Sequence, residues 1–193
     1  MNIQFQLTKD ASLSLALIND EKKNAVLRHI ADEIGRQSDM LLEANAKDLS
    51  RMDQSNPLYD RLQLTKERLD GIASDMRHVA DLPTPLGHIT KDHTLENGLR
   101  LYRVSVPFGV IGMIYEARPN VSFDVFSLCF KSGNACVLKG GKDADDSNRA
   151  IVAMIKQILT EEGINPDVIN LLPATHESTG EMLNAVGDRK SVV

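Results

Sequence analysis

Cysteine is scarce: the 193-residue sequence has two, Cys129 and Cys136, both in apolar surroundings. Two thiols cannot make a disulfide scaffold, and a reducing cytoplasm is the expected compartment. The histidines His29, His78, His88, His93 and His176 are scattered, without an H-x-x-x-H pair or a Cys/His cluster. No metal site is therefore expected. No apolar run approaches the ~20 residues that cross a bilayer. The opening MNIQFQLTKDASLSLALINDEKK lacks the basic-then-apolar pattern of a secretory leader. Excess positive charge is missing too: 22 Lys+Arg against 27 Asp+Glu leave a net charge of −5. That balance argues against nucleic-acid or anionic-membrane partners. Neither G-x-G-x-x-G nor G-x-x-x-x-G-K-S/T occurs, so both standard phosphate fingerprints are absent.

What is present is ordinary globular composition, 42% hydrophobic and 25% charged. It suffices for one sizeable domain or two small ones. The first part reads as helical. Val26, Ile30 and Ile34 recur every four residues, with Leu27 and Ala31 beside them, which makes one buried helix face. A second helical pattern covers Met40 to Met52, and DQSNP breaks it. Thr65 reads as the N-cap of a third helix, striped by Leu69, Ile72, Ala73, Met76, Val79 and Ala80. LPTPLG ends it as a linker.

The period then changes. Asn97-Gly98 signals a hairpin turn, and the alternation from Leu99 to Val106 reads as an extended strand closed by Pro107. GVIGMIY (109–115) is apolar throughout, as expected of a strand covered on both faces of a parallel sheet. A helix over Ser122 to Lys131, a strand at Ala135 to Leu138, a helix from Ser147 to a C-terminal Gly163, a strand at Asp167 to Leu172 and a helix from His176 to Ala185 follow. Strand and helix alternating in this way predict a doubly wound α/β domain.

Chemistry in such a sheet gathers beyond the carboxyl ends of its strands. Two segments lie there. In Glu116-Ala117-Arg118-Pro119-Asn120, Arg118 could clamp a carboxylate or phosphate, and the Asn120 amide could donate to an oxyanion. The same loop is equally readable as surface, with Arg118 paired to Glu116. In Lys139-Gly140-Gly141-Lys142, the glycines would let the backbone approach a phosphate or ribose beside two cations. A tight strand-to-helix turn with solvated lysines explains it as well. Cys129 and Cys136 sit in apolar segments that raise a thiol's pKa, so neither is expected to be a nucleophile. His176 and Glu177 fit a helix start as readily as a ligand contact.

The stretch VPFGVIGMIYEARPNVSFDVFSLCFKSGNACVLKGG (106–141) resembles the signature region of glutamate-5-semialdehyde dehydrogenases, a branch of the aldehyde dehydrogenase superfamily. ANAKDL (44–49), DRLQLTKERLDGIASDMRHVADLPTPLG (60–87) and NGLRLYRVSVP (97–107) support it. The resemblance implies an α/β, aldehyde dehydrogenase-like fold: a helical N-terminal lobe (1–96), an oligomerisation-type strand (97–107) and the first half of a doubly wound Rossmann-type parallel sheet (108–187), truncated. It implies NADPH-dependent reduction of L-glutamate 5-phosphate to L-glutamate 5-semialdehyde in proline biosynthesis, through a cysteine thioester. Lys139, Gly140, Gly141 and Lys142 then match the cofactor-binding turn. Lys139 would touch the adenosine ribose, and Lys142 stands where NAD-preferring relatives often carry glutamate, which suits a 2′-phosphate. Arg118 becomes a substrate-binding candidate and Asn120 a candidate oxyanion donor, with homo-oligomers expected of the full-length form.

The family's nucleophilic cysteine lies in a later half that has no counterpart here. Residues 188–193, DRKSVV, lack the apolar strand expected next and resemble a translated sequencing adapter, so a foreign tail on a truncated gene model is expected, with a natural C-terminal end as the alternative. The chain by itself is then expected to be inactive and poorly folded. Two other readings remain at this point: another acyl-phosphate or aldehyde dehydrogenase, and a noncatalytic nucleotide-binding module.

Overall fold

The computed structural model describes residues 3–185 and 189–192. Helices α1 (Ile3–Leu15), α2 (Asp20–Arg36), α3 (Ser38–Leu49), the short α4 (Tyr59–Leu62) and α5 (Lys66–Asp81) come first. α2 starts where the Asn19 side chain accepts from Lys22 N at 2.9 Å, with Asp20 and Glu21 in its first turn. Its stripe Val26, Leu27, Ile30, Ala31 and Ile34 is buried. α5 is capped by Thr65, whose Oγ1 accepts from Arg68 N at 3.2 Å, and buries Leu69, Ile72, Ala73, Met76 and Ala80. The two stripes pack on each other, each fully buried aliphatic side chain contributing roughly 1.5–3 kcal/mol.

Strands β1 (Ile89–Thr94) and β2 (Arg100–Val104) form an antiparallel hairpin. Its loop is a turn in which Gly98 N donates to Leu95 O at 2.9 Å, closed by Leu95 N to Leu99 O at 2.8 Å. Asn97-Gly98 thus ends a three-residue loop and not a two-residue turn. Every residue of both strands is exposed, so the hairpin projects from the body as an arm.

The second sheet has the order β5-β4-β3-β6, all parallel: β3 (Val110–Ile114), β4 (Ala135–Lys139), β5 (Ile169–Leu171) and β6 (Arg189–Val192). α6 (Asn120–Lys131) joins β3 to β4, α7 (Asp145–Glu161) joins β4 to β5, and α8 (His176–Asn184) follows β5. Cys136, Leu138 and Ile169 pack with Phe123, Phe126 and Phe130 of α6 and with Ile151 and Ile155 of α7. Val137, one residue out of phase, faces the other way against Phe5 of α1 and Met182 of α8. Helices on both faces make the sheet doubly wound. Because β4 and β5 run to one side of β3 and β6 lies on the other, the order reverses between β3 and β6, where ligands bind in such sheets.

Two expectations change. GVIGMIY is covered on both faces only in part: Ile111 and Met113 pack toward one face and Ile114 toward the other, but Val110, Ile111, Met113 and Ile114 stay half-buried, because the flanking helices centre on β4. Within the DRKSVV segment, read as lacking a strand, Arg189–Val192 pairs parallel to β3 through Val110↔Arg189, Ile111↔Ser191 and Gly112↔Val192. Backbone pairing suffices to hold that position without an apolar pattern. Asp188 and Val193 lie outside the described residues.

Candidate active site at the carboxyl ends of β3 and β4

β3 and β4 end level with each other, at Ile114↔Lys139, and Tyr115 N donates to Lys139 O at 3.1 Å. The loops that follow therefore start side by side. In the first, Ala117 and Pro119 are buried while Glu116 and Arg118 are exposed. Ala117 packs with Leu62 and Ala144, anchoring the loop to α4 and to the start of α7. That leaves the Arg118 side chain outward, and no ion pair holds it to Glu116 or to another acid among the described residues. It lines a cleft of about 320 Å³ with Asn120, Arg61, Arg68, Ile72 and Asp75. Arg68 is tied down by Asp60, at 2.7 Å to the carboxylate, whereas Arg61 has no such partner among the described residues.

Asn120 opens α6 and its Nδ2 donates to Asp124 Oδ2 at 3.1 Å. One amide proton is thus committed along the helix, leaving one for a ligand. The Asp124 carboxyl is raised above the usual carboxylate range by burial, against the lowering effect of the Asn120 bond and with a contribution from the nearby Asp75.

In the second loop the glycines approach protein, which differs from the ligand approach expected of them. A Cβ on Gly140 would lie 2.2 Å from Asn148 Nδ2, and one on Gly141 would lie 3.2 Å from the Glu116 carbonyl carbon. The glycines let the two loops and the start of α7 close on each other. Behind them runs a short chain: the Tyr115 hydroxyl meets Ser122 Oγ at 2.6 Å, and Ser122 Oγ donates to Asn148 Oδ1 at 3.1 Å. Burial pushes the Tyr115 hydroxyl well above its ordinary value, opposed by that hydrogen bond. Asn148 Nδ2 is buried and has no hydrogen-bond partner among the described residues. Lys139 is half-buried and Lys142 exposed, and neither forms an ion pair among the described residues. Lys142 borders a smaller hollow with Asp48, Arg51 and Asp143.

Comparison with known proteins meets this geometry. No profile of a known protein family matches the chain. The γ-glutamyl phosphate reductase of Bacteroides thetaiotaomicron is 57% identical over 187 residues, 97% of this chain and 45% of that protein. Over nearly its whole length the chain is similar to γ-glutamyl phosphate reductases. It spans less than half the length of the curated relatives it matches. The crystal structure of the Thermotoga maritima γ-glutamyl phosphate reductase matches with a TM-score of 0.85 at 34% identity, over 91% of this chain and 43% of that one. A glyceraldehyde-3-phosphate dehydrogenase from Methanocaldococcus jannaschii, solved in complex with NADP, matches with a TM-score of 0.74 at 16% identity, over 98% of this chain and 39% of that one. The fold is thus that of the reductases and of aldehyde dehydrogenases more widely.

The structure brings Arg118 and Asn120 of the reductase signature to one cleft, and places Lys139 to Lys142 on the adjoining loop. Cys129 and Cys136 are buried. The Cys136 thiol is held high by its hydrogen bond to Cys129 and by burial, the wrong direction for a nucleophile. Thr175 caps α8, accepting from Ser178 N at 3.2 Å, so His176 and Glu177 read as a helix start.

Sequence reasoning missed the residues that hold these loops. Asn45 accepts from Leu64 N at 2.8 Å and donates to Leu62 O at 2.9 Å, which fixes the segment carrying Arg61. Asp48 accepts from Asp146 N at 3.1 Å, Ser147 N at 2.8 Å and Ser147 Oγ at 2.6 Å, which fixes the start of α7. The signal was available: Asn45 and Asp48 fall on the same face of α3 as Leu41 and Ala44.

Proposed function

We propose that this segment belongs to an enzyme reducing L-glutamate 5-phosphate to L-glutamate 5-semialdehyde with NADPH, with release of phosphate, in proline biosynthesis. The observation that carries the reading is the 57% identity to a γ-glutamyl phosphate reductase across 97% of the chain. The paired loops supply the chemistry. Arg118 is the bidentate anion donor at the substrate end, and the uncommitted Asn120 proton is an oxyanion donor. Lys139 stands at the end of the second strand of the nucleotide-binding unit, the position from which such folds contact the adenosine ribose. Lys142, on the next turn, adds the charge that a 2′-phosphate needs. Two lysines without an ion pair among the described residues, on a loop that the glycines hold close, fit this cofactor. When bound, NADPH supplies a hydride; the residues here bind and orient it. The nucleophile is neither Cys129 nor Cys136.

We place the enzyme in the cytoplasm as a homo-oligomer. The exposed apolar side chains of the arm, Ile89, Leu101, Tyr102 and Val104, support association. No described helix is long and apolar enough to cross a membrane.

The test is a chimera in which residues 1–185 replace the matching part of the Bacteroides thetaiotaomicron relative. NADP-dependent conversion between glutamate 5-semialdehyde and glutamate 5-phosphate is expected, and its absence, with the unaltered relative active in parallel, overturns the reading. In the active chimera, Lys142→Glu is expected to raise the KM for the NADP cofactor by about tenfold, the equivalent of one lost charge contact, while the KM for its NAD counterpart holds or falls.

A further inference from the structure

Asn148, on the first turn of α7, is held at one end only. Ser122 Oγ has a single proton and donates it to Asn148 Oδ1 at 3.1 Å. The Tyr115 hydroxyl, 2.6 Å from the same Ser122 oxygen, is therefore the donor in that contact. The chain runs one way, from Tyr115 through Ser122 to Asn148, and it aims the Asn148 amide nitrogen at the Lys139–Lys142 turn. Asn148 is 1% exposed, and its Nδ2 makes no hydrogen bond among the described residues. That nitrogen lies where a Gly140 side chain would begin, 2.2 Å from the place of a Cβ. A buried donor left unmatched costs its desolvation, enough to bias an equilibrium by about tenfold.

A matching acceptor is at hand. The Gly140 carbonyl accepts no hydrogen bond among the described residues, whereas the carbonyls on either side are taken, Lys139 O by Tyr115 N at 3.1 Å and Gly141 O by Ala144 N at 3.3 Å. The peptide joining Gly140 to Gly141 is planar and trans, so its carbonyl and its N–H point opposite ways. Resting on the reading that this turn binds NADPH, we propose that Asn148 is a positioning residue for the cofactor. Its amide captures the Gly140 carbonyl when the Gly140–Gly141 peptide turns over, and the Gly141 N–H, turned away from Asn148, becomes a donor to the bound cofactor. The turnover carries the Gly141 φ from −73° to the positive side, where glycine alone is at ease. The second glycine thereby has a use that its present φ does not require. Asn148 touches no ligand; it acts through the backbone of the turn, and the donor it satisfies on turnover favours the cofactor-bound form.

The experiment uses the active chimera and compares two backgrounds. Tyr115→Phe with Ser122→Ala removes the chain but leaves the Asn148 amide. Adding Asn148→Leu then removes the amide and keeps its shape. Two quantities are read: the urea midpoint of the cofactor-free protein, and the Kd values of NADPH and NADH from fluorescence titration. Adding Asn148→Leu is expected to hold or raise the urea midpoint, since a buried amide without partners is lost. The same step should raise both Kd values by about tenfold, because the Gly141 N–H serves either cofactor. Stability and affinity thus move in opposite senses, which a merely structural asparagine would not produce. Unchanged Kd values overturn the proposal. So does a lower urea midpoint, which would mean that the amide already has its partner in the free protein, and so does a loss confined to NADPH, which would belong to the 2′-phosphate. Each of these leaves the reductase reading intact. A parent chimera that neither binds NADPH nor turns over overturns that reading, and the role of Asn148 with it.

Discussion

At the scale of single residues, Asp48 does for α7 what no residue of that helix's own N-terminus does. Ala144 occupies the cap position and offers no side-chain acceptor, while Asp48, nearly a hundred residues earlier, reaches across from α3 to the first free N–H groups. Its carboxylate is fully buried and is also paired with Arg51, which bridges to Asp146 at 2.7 Å. Asp48→Ala removes the cap and leaves the buried Ser147 donors without an acceptor, while Arg51 keeps Asp146, and is expected to cost about 3 kcal/mol. Asp48→Asn, which keeps an acceptor, should cost about half as much, with urea midpoints as the measurement. Gly140 makes a second case. Its added methyl would meet the Asn148 amide, a side-chain end that can be cut away. Gly140→Ala alone should therefore lose about 1–3 kcal/mol by overpacking. In an Asn148→Ala background the further loss should fall below about 1 kcal/mol. An undiminished loss in that background would mean that the strain lies in the backbone of the loop.

At the scale of elements, what was legible tracks how strongly burial imprinted a period. α2 and α5 bury one clean stripe each, and their caps at Asn19 and Thr65 are short side chains doing local work, so the sequence displays both. α1 is less readable: its apolar residues Ile3, Phe5, Leu7, Ala11, Leu13 and Leu15 fall on odd positions, as fits a strand as much as a helix, and Leu7 and Leu13 end up exposed. β6 leaves no imprint at all, since Arg189 to Val192 is held by ladder bonds to β3. Junctions between elements are invisible for another reason: they join residues far apart in sequence. Glu162, at the end of α7, holds Lys22 at 2.6 Å and His29 at 2.6 Å, both on α2. These hydrogen bonds, Lys22 first, keep its carboxyl below the ordinary glutamate value of 4.5. A lowered folded-state value means stability that is present above the unfolded pKa and lost as pH falls through the folded one. Glu162→Gln should thus cost about 1 kcal/mol at neutral pH, modest because Lys22 is substantially solvated. The gap between variant and parent should close as pH falls through the lowered folded-state value, read from urea midpoints at neutral pH and along an acid series.

For the whole molecule, the same distinction separates the body from the arm. The sheet and its helices were legible as a doubly wound α/β unit because buried strands and amphipathic helices alternate along the chain. The cleft was legible only in part: Arg118 and Asn120 follow a strand end in sequence, whereas Arg61 and Asp75 reach it from helices that only the tertiary packing brings near. The arm is legible as a hairpin but not as an isolated one. β1 and β2 bury no residue, and what stabilises them within the arm is the cross-strand pair Arg100–Asp92, at 2.6 Å, with the Arg100 guanidinium 5.0 Å from the Tyr102 ring centroid. A two-stranded hairpin with that little support is marginal in water. β4, by contrast, is buried along nearly its whole length and should open only with the body. Hydrogen exchange followed by mass spectrometry at two protein concentrations separates these regimes. Peptides covering 89–104 should exchange fast in dilute protein and slow in concentrated protein, as the arms of two copies cover each other, while 135–139 should exchange slowly in both. An arm that stays equally fast at high concentration would remove the arm from the oligomer contact, and its exposed Ile89, Leu101 and Val104 would then need another partner.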